Sequence, residues 1–272
     1  MKSEKMMQKI DIHLHPATDD KNMDGYLKIM DKHNVEAGLL HGLEEKGWAF
    51  GFKDGTPNDA VVKAVKAHPK RFYGTACVNF LDGVDKVVDK IKKYGDQGLI
   101  GIKLFPNLGF DPNDDKYEPI WQEVEKRKML VFSHCGWLSP NEKNPSMRIA
   151  SIGYASPFHF EVPARRHAKI NFIFAHFGGG ATYLETLVLT SRLKNCFADT
   201  CPGWGKWVWE NDMPGLKTMY RTQLLYGTDN AGENYGQDDS WWTGKLLSYG
   251  FNDNDIHMYF HVNSAKILGI VE

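Results

Sequence analysis
The sequence predicts an α/β protein built as a (β/α)8 TIM barrel with extra C-terminal helices, and three observations carry that prediction. Short apolar runs rich in β-branched and aromatic residues alternate eight times with longer amphipathic segments, with no linker between them. The chain has 272 residues, close to the roughly 250 of one such barrel. Where a doubly wound nucleotide-binding fold would place GxGxxG after its first strand, this chain reads DIHLHP. One domain spanning 1–272 is expected.

The elements follow in order. The first strand, Lys9–His15, puts His13 and His15 on one face and Ile12 and Leu14 on the other, because successive strand residues point to opposite sides. Strands Val35–His41 and Phe72–Asn79 are separated by a helix over Asn58–His68 that opens after Pro57. Gly83–Tyr94 carries Val84, Val87, Val88 and Ile91 on one face, as an amphipathic helix requires, and leads to strand Leu99–Phe105. There Ile102 and Leu104 are the natural helix-facing residues, which turns Lys103 towards the cavity. Helix Tyr117–Lys128, strand Met129–His134, strand Ile170–His176 and helix Ala181–Lys194 come next, followed by strands Asn195–Thr200 and Gln223–Asp229. Ser240–Tyr249 forms the eighth helix, and Asp253–Gly269 supplies one or two more with Asn263 as an N-cap. The long irregular stretches Gly136–Ser156, Cys201–Met213 and Asn230–Asp239 all follow strands, on the face where barrel enzymes carry their sites.

Composition narrows the partners. The 33 basic and 34 acidic residues nearly cancel, and no block of one sign offers a nucleic-acid surface or a polybasic membrane anchor. The N-terminal MKSEKMMQKI is polar, and no run approaches the roughly 20 apolar residues of a membrane helix, so a cytoplasmic location is expected. Cys77, Cys135, Cys196 and Cys201 form no CxxC pair and read as reduced thiols; Cys77 and Cys135 are better small buried residues than nucleophiles.

The chemistry lies at strand ends. Two imidazoles at the end of one strand can grip an ion, though an HxH pair alone could equally be a pair of hydrogen-bonded core histidines. His134, His176 and Asp229 end strands 5, 6 and 8 in the same way. Residues at the C-terminal ends of barrel strands converge above the core, and imidazoles with a carboxylate suit zinc or another first-row divalent ion.

In order, DIHLHP, GIKLFP, SHCG, AHFGGG, YGTDNAG and VNSAKILGI resemble the amidohydrolase superfamily, in the amidohydrolase-related branch of metal-dependent hydrolases and decarboxylases. The resemblance implies His13, His15, His134 and Asp229 as metal ligands. It implies His176 as a catalytic acid/base, with Asp229 also taking a proton from the water. The expected cofactor is one divalent ion, zinc first. The expected reaction is attack of metal-activated water on an ester, lactone or amide carbonyl of a small molecule; the alternative is non-oxidative decarboxylation of a carboxylated aromatic or enol. A phosphoesterase ranks lower, since Lys103 stands where barrel nucleases carry a glutamate and no histidine follows Asp229 in a DxH pair. A metal-binding protein without catalysis is a further alternative.

Lys103 has three readings: a substrate-carboxylate holder, a carboxylated bridge between two metals, or half of an internal ion pair. Trp137, Trp204, Trp207, Trp209, Trp241 and Trp242 fall in the loops after strands 5, 7 and 8. They could roof an apolar or aromatic substrate, with Trp137 and Trp204 as contacts, or pack against a second copy in a homo-oligomer. His41, Asn79, Asp199 and Thr200 end other strands and either line the pocket or serve as caps and hydrogen-bond partners. Gly178–Gly180 either lets backbone approach the site, with the helix start as an anion holder, or packs helix on strand. His33, His68, His167 and His257 read as surface residues, His261 as structural, and His159 as an unfavoured substrate contact.

Overall fold
Strands β1 Lys9–Leu14, β2 Val35–His41, β3 Phe72–Cys77, β4 Gly101–Leu104, β5 Leu130–Ser133, β6 Phe172–Phe174, β7 Cys196–Asp199 and β8 Leu224–Leu225 form one sheet, paired in sequence order. All seven ladders are parallel. These are the strands the alternation predicted, in the computed structural model whose described residues are 7–15, 20–43, 56–137, 151–201, 203–229 and 238–270.

The sheet curls into a barrel because its strands are buried on both faces. Along β5 and β6, Val131, Phe172 and Phe174 pack outward with Val87, Ile91, Ile120, Trp121 and Val124 of the surrounding helices. Leu130, Phe132 and Ile173 belong to a second cluster with Leu39 and Leu225. Two-sided apolar strands of this kind are what parallel sheets require.

β8 is only two residues long, and the seam to β1 is closed by other means. Ile12 N donates to Tyr226 O at 3.0 Å and Asp229 N to His13 O at 2.9 Å. The carboxylate of Asp11, fully buried, spans the same seam. Its Oδ1 accepts from His13 N at 3.0 Å and Thr228 N at 3.1 Å, and its Oδ2 accepts from Thr228 Oγ1 at 2.5 Å.

Several expectations are corrected. β6 stops at Phe174, and the chain runs left-handed from His176 through Gly180 before the next helix, Tyr183–Arg192. Asn263 is not a cap: it lies inside a continuous helical run, Asp253–His257, a π segment Met258–Val262 and Asn263–Leu268. Its amide donates to Arg221 O and Leu224 O, while Asn252 makes the capping box with Asp255. Trp209 and Trp242 are core residues, not a roof. A helix, Trp204–Glu210, forms after β7, and these two rings meet edge to face between it and helix Asp239–Ser248. His167 is buried between Glu118 and Glu125, since it reaches back from the end of helix Glu161–Arg166 to helix Glu118–Lys126. Most of the expected irregular stretches Gly136–Ser156 and Asn230–Asp239 lies outside the described residues.

Candidate metal centre
β1 carries His13 and His15 to the barrel rim, and the turn after β8 carries Asp229 to meet them. His13 Nε2 lies 3.2 Å from His15 Nε2 and 3.2 Å from Asp229 Oδ1, and His15 Nε2 lies 3.4 Å from the same oxygen. A tetrahedral ion with ligand bonds of about 2.0–2.1 Å has ligands separated by about 3.4 Å. Without a shared proton or a cation, these lone pairs would repel. A proton is disfavoured, because burial, reinforced by the Lys103 charge, pushes both imidazoles well below their usual range. The donor set therefore fits a divalent cation.

His134 and His176 stand beside this triad. His176 Nε2 is 3.2 Å from His134 Nδ1 and 3.9 Å from Asp229 Oδ2. His134 Nε2 is buried and has no hydrogen-bond partner among the described residues, which fits a ring nitrogen kept for a cation. His134 does not share a three-donor group with His13 and His15; the other groupings are His176–Cys201–Asp229 and His13–Asp199–Cys201.

The pairing of His134 with His176 is built into the backbone. A Cβ on Gly179 would lie 2.1 Å from Gly136 Cα, and one on Gly136 would lie 2.6 Å from Gly179 Cα. Both glycines have positive φ, so the turns after β5 and β6 touch main chain to main chain. His176, Phe177 and Asp229 are non-glycine residues in the left-handed region, with φ of 55°, 49° and 50°. Strain of this kind gathers at functional sites.

Lys103 is fully buried, its Nζ 3.2 Å from His13 Nε2, 4.2 Å above the Phe132 ring and 5.3 Å from that of Phe105. Among the described residues it forms no ion pair, so the internal-pair reading is not realised. Burial lowers its pKa, while Asp229 and Asp199 nearby pull it back up. Burial also pushes the Asp229 carboxyl up to about 6, against the opposing effect of Lys103.

Both nitrogens of His41 are engaged, by Thr75 Oγ1 at 2.8 Å and Ile12 O at 3.0 Å, so it is a wall of the site with no free donor. Asn79 caps the turn at Phe80–Asp82 by accepting from Leu81 N, and Thr200 pairs with Tyr259 at 2.6 Å. His159 bonds Asp111 at 2.7 Å, and His261 bonds Glu36 at 2.7 Å. Trp204 packs on Gly180, just past His176, and is 48% exposed; Trp137 follows Gly136 and is 58% exposed. All four cysteines are buried.

The residue that sequence reasoning underrated is Asp199, buried at the end of β7 and bonded to both His13 and His176. Cys201, with Sγ 2.9 Å from His176 Nδ1, was missed as a site residue. The available signal was position: Asp199 ends β7 and Cys201 lies two residues on, at the same mouth as the candidate ligands. A separate cavity of about 500 Å³, bordered by Asn171, Lys194, Gln223 and Lys266, lies at the opposite end of the strands and holds none of these groups.

The surrounding fold is widely shared. A TIM-barrel protein of uncharacterised role from Bordetella bronchiseptica superposes with TM-score 0.72 at 14% identity, covering 97% of this chain and 99% of that one. A 2,6-dihydroxybenzoate decarboxylase from Rhizobium gives 0.68 at 16%, covering 97% and 99%. A probable 2-pyrone-4,6-dicarboxylic acid hydrolase from Acinetobacter baumannii gives 0.63 at 16%, covering 97% and 100%. At such identities the likeness is one of fold. No curated protein matches the sequence. The family model for amidohydrolases matches residues 10–270. With that match running from the first strand to the last helix, the chain belongs to the amidohydrolase family.

Proposed function
We propose that the protein is a zinc-dependent hydrolase of a small carboxylated substrate, with one ion held by His13, His15, Asp229 and His134. The observation that carries this reading is the meeting of His13 Nε2, His15 Nε2 and Asp229 Oδ1 at 3.2–3.4 Å separations. Zinc bound there would lower the pKa of water and polarise a carbonyl oxygen of an ester, lactone or amide. His176 Nε2, beside Asp229, takes and returns the proton during attack and product release. Asp229 Oδ2 lies on the same path and can relay that proton.

Lys103 supplies the substrate preference. A buried amine that forms no ion pair among the described residues is matched by an anionic substrate, and its rigid surroundings orient the bound carboxylate. Trp204 and Trp137 would cover a planar ring and exclude water. The compounds named for the structural relatives, 2,6-dihydroxybenzoate and 2-pyrone-4,6-dicarboxylic acid, are carboxylated rings of that kind.

The same features support decarboxylation as the second reading, since Lys103 could hold the carboxylate that leaves as CO₂. The test is a panel of carboxylated lactones and hydroxylated benzoates, assayed with zinc-loaded protein for ring opening and for CO₂ release. Turnover that disappears in His13→Ala along with bound zinc supports the reading. Full activity in metal-stripped protein sinks it.

A further inference from the structure
We propose that Asp199 is the positioning residue of this centre, fixing His13 with Nε2 towards the cation and anchoring the turn that presents His176; the first half rests on the metal reading above.

The geometry is specific. Asp199 Oδ2 lies 2.7 Å from His13 Nδ1, with both side chains fully or almost fully buried. Its other oxygen, Oδ1, accepts from His176 N at 2.7 Å and from Cys201 N at 3.3 Å. One carboxylate thus ties β1 to the turns after β6 and β7.

The direction of the first bond follows from chemistry. A carboxylate only accepts, so the His13 proton sits on Nδ1 and the lone pair is left on Nε2. That Nε2 is the atom facing His15, Asp229 and Lys103. The 2.7 Å separation is a charge-assisted hydrogen-bond length. Asp199 meets the imidazole at Nδ1, across the ring from Nε2, and so stands behind the proposed ligand atom. Phe132 at 4.7 Å and His41 at 5.1 Å, ring centre to ring centre, flank the same imidazole and leave it little freedom to turn.

The second tether matters because His176 and Phe177 hold left-handed backbone without glycine's freedom, a conformation that costs free energy for any residue with a side chain. A hydrogen bond from His176 N to a buried carboxylate offsets part of that cost. Cys201 Sγ, on the opposite side of the ring, then orients His176 with Nε2 towards His134 and Asp229.

The experiment compares wild type, Asp199→Asn and Asp199→Ala, each first checked for folding by near-UV circular dichroism. Histidine ¹⁵N spectra of the metal-free proteins read the His13 tautomer, and chelator competition reads zinc affinity. The wild type should carry the His13 proton on Nδ1. Asp199→Ala should show mixed tautomers and bind zinc about 10–100-fold more weakly, with Asp199→Asn intermediate because its amide oxygen still accepts. If the alanine variant does not fold, the asparagine variant alone decides by the same two readouts. A wild-type His13 protonated on Nε2, or unchanged zinc affinity in the variants, overturns the proposal. A wild type that takes up no zinc overturns the metal reading instead, and the spectra then still decide whether Asp199 sets the tautomer.

Discussion

Lys103 shows most directly how one buried side chain can oppose stability. Its amine is fully buried against two aromatic rings and an imidazole, and burial lowers its pKa. Exchange for a methionine of similar length removes the desolvation cost and keeps the packing. Lys103→Met should therefore raise the melting temperature while removing turnover of carboxylated substrates, measured by calorimetry and by the assay panel above. A lower melting temperature would mean that the amine is paired more strongly than its surroundings indicate. At this scale much was legible in advance. His13, His15, His134, His176 and Asp229 all stood at predicted strand ends, where chain direction alone aims them at one mouth. Asp199 was visible as a strand-end carboxylate, but its role was not. Its partners come from β1 and the turn after β6, 186 and 23 residues away, and no local pattern encodes that meeting. Cys201 was hidden for a different reason, since a buried thiol usually signals packing.

Among the elements, the turns after β5 and β6 are the least forgiving. A side chain on Gly179 would meet the Gly136 main chain, and a main chain cannot swing aside as a flexible side chain can. Gly179→Ala should cost several-fold more activity than a surface Gly→Ala such as Gly244→Ala, where among the described residues nothing outside its own helix lies within 4 Å of the new methyl. Matched unfolding and turnover measurements check this; equal behaviour of the two variants would count against the backbone contact. The eight strands were readable because each is a short apolar run between polar, helix-period segments, and burial on both faces leaves little else for such runs to do. Helix ends were read less well. Asn263 had the chemistry of a cap, but the helix continued through a π segment and its amide was taken up by the carbonyls of Arg221 and Leu224. Trp209 was read with the loop tryptophans because composition cannot distinguish a loop from a seven-residue helix such as Trp204–Glu210; Trp242 lies in helix Asp239–Ser248, within the helix expected over Ser240–Tyr249.

For the molecule as a whole, the cluster of neutral imidazoles sets the response to acid. His13, His15, His41 and His134 are all held well below their usual pKa, first of all by burial. Below the unfolded value of about 6.5, the unfolded chain takes up protons that the folded chain refuses, and stability falls with pH. Asp199 and Asp229 act in the opposite sense, because their folded pKa values are raised. Four imidazoles outnumber two carboxyls, so the melting temperature of metal-free protein should drop between about pH 7 and about pH 5; a flat profile would contradict neutral burial.

The seam between β8 and β1 adds a consequence on the same scale. Strand pairing is shortest there, and Asp229 stands on one bank while His13 and His15 stand on the other. A cation gripped by all three would act as the buckle of a belt, joining first strand to last across the gap where the hoop is thinnest. Stripping zinc should then loosen amide protons around Ile12, Tyr226 and Thr228 before those of β4 and β5, a pattern that hydrogen exchange can resolve residue by residue. Uniform loosening around the whole ring would mean that the buckle lies elsewhere.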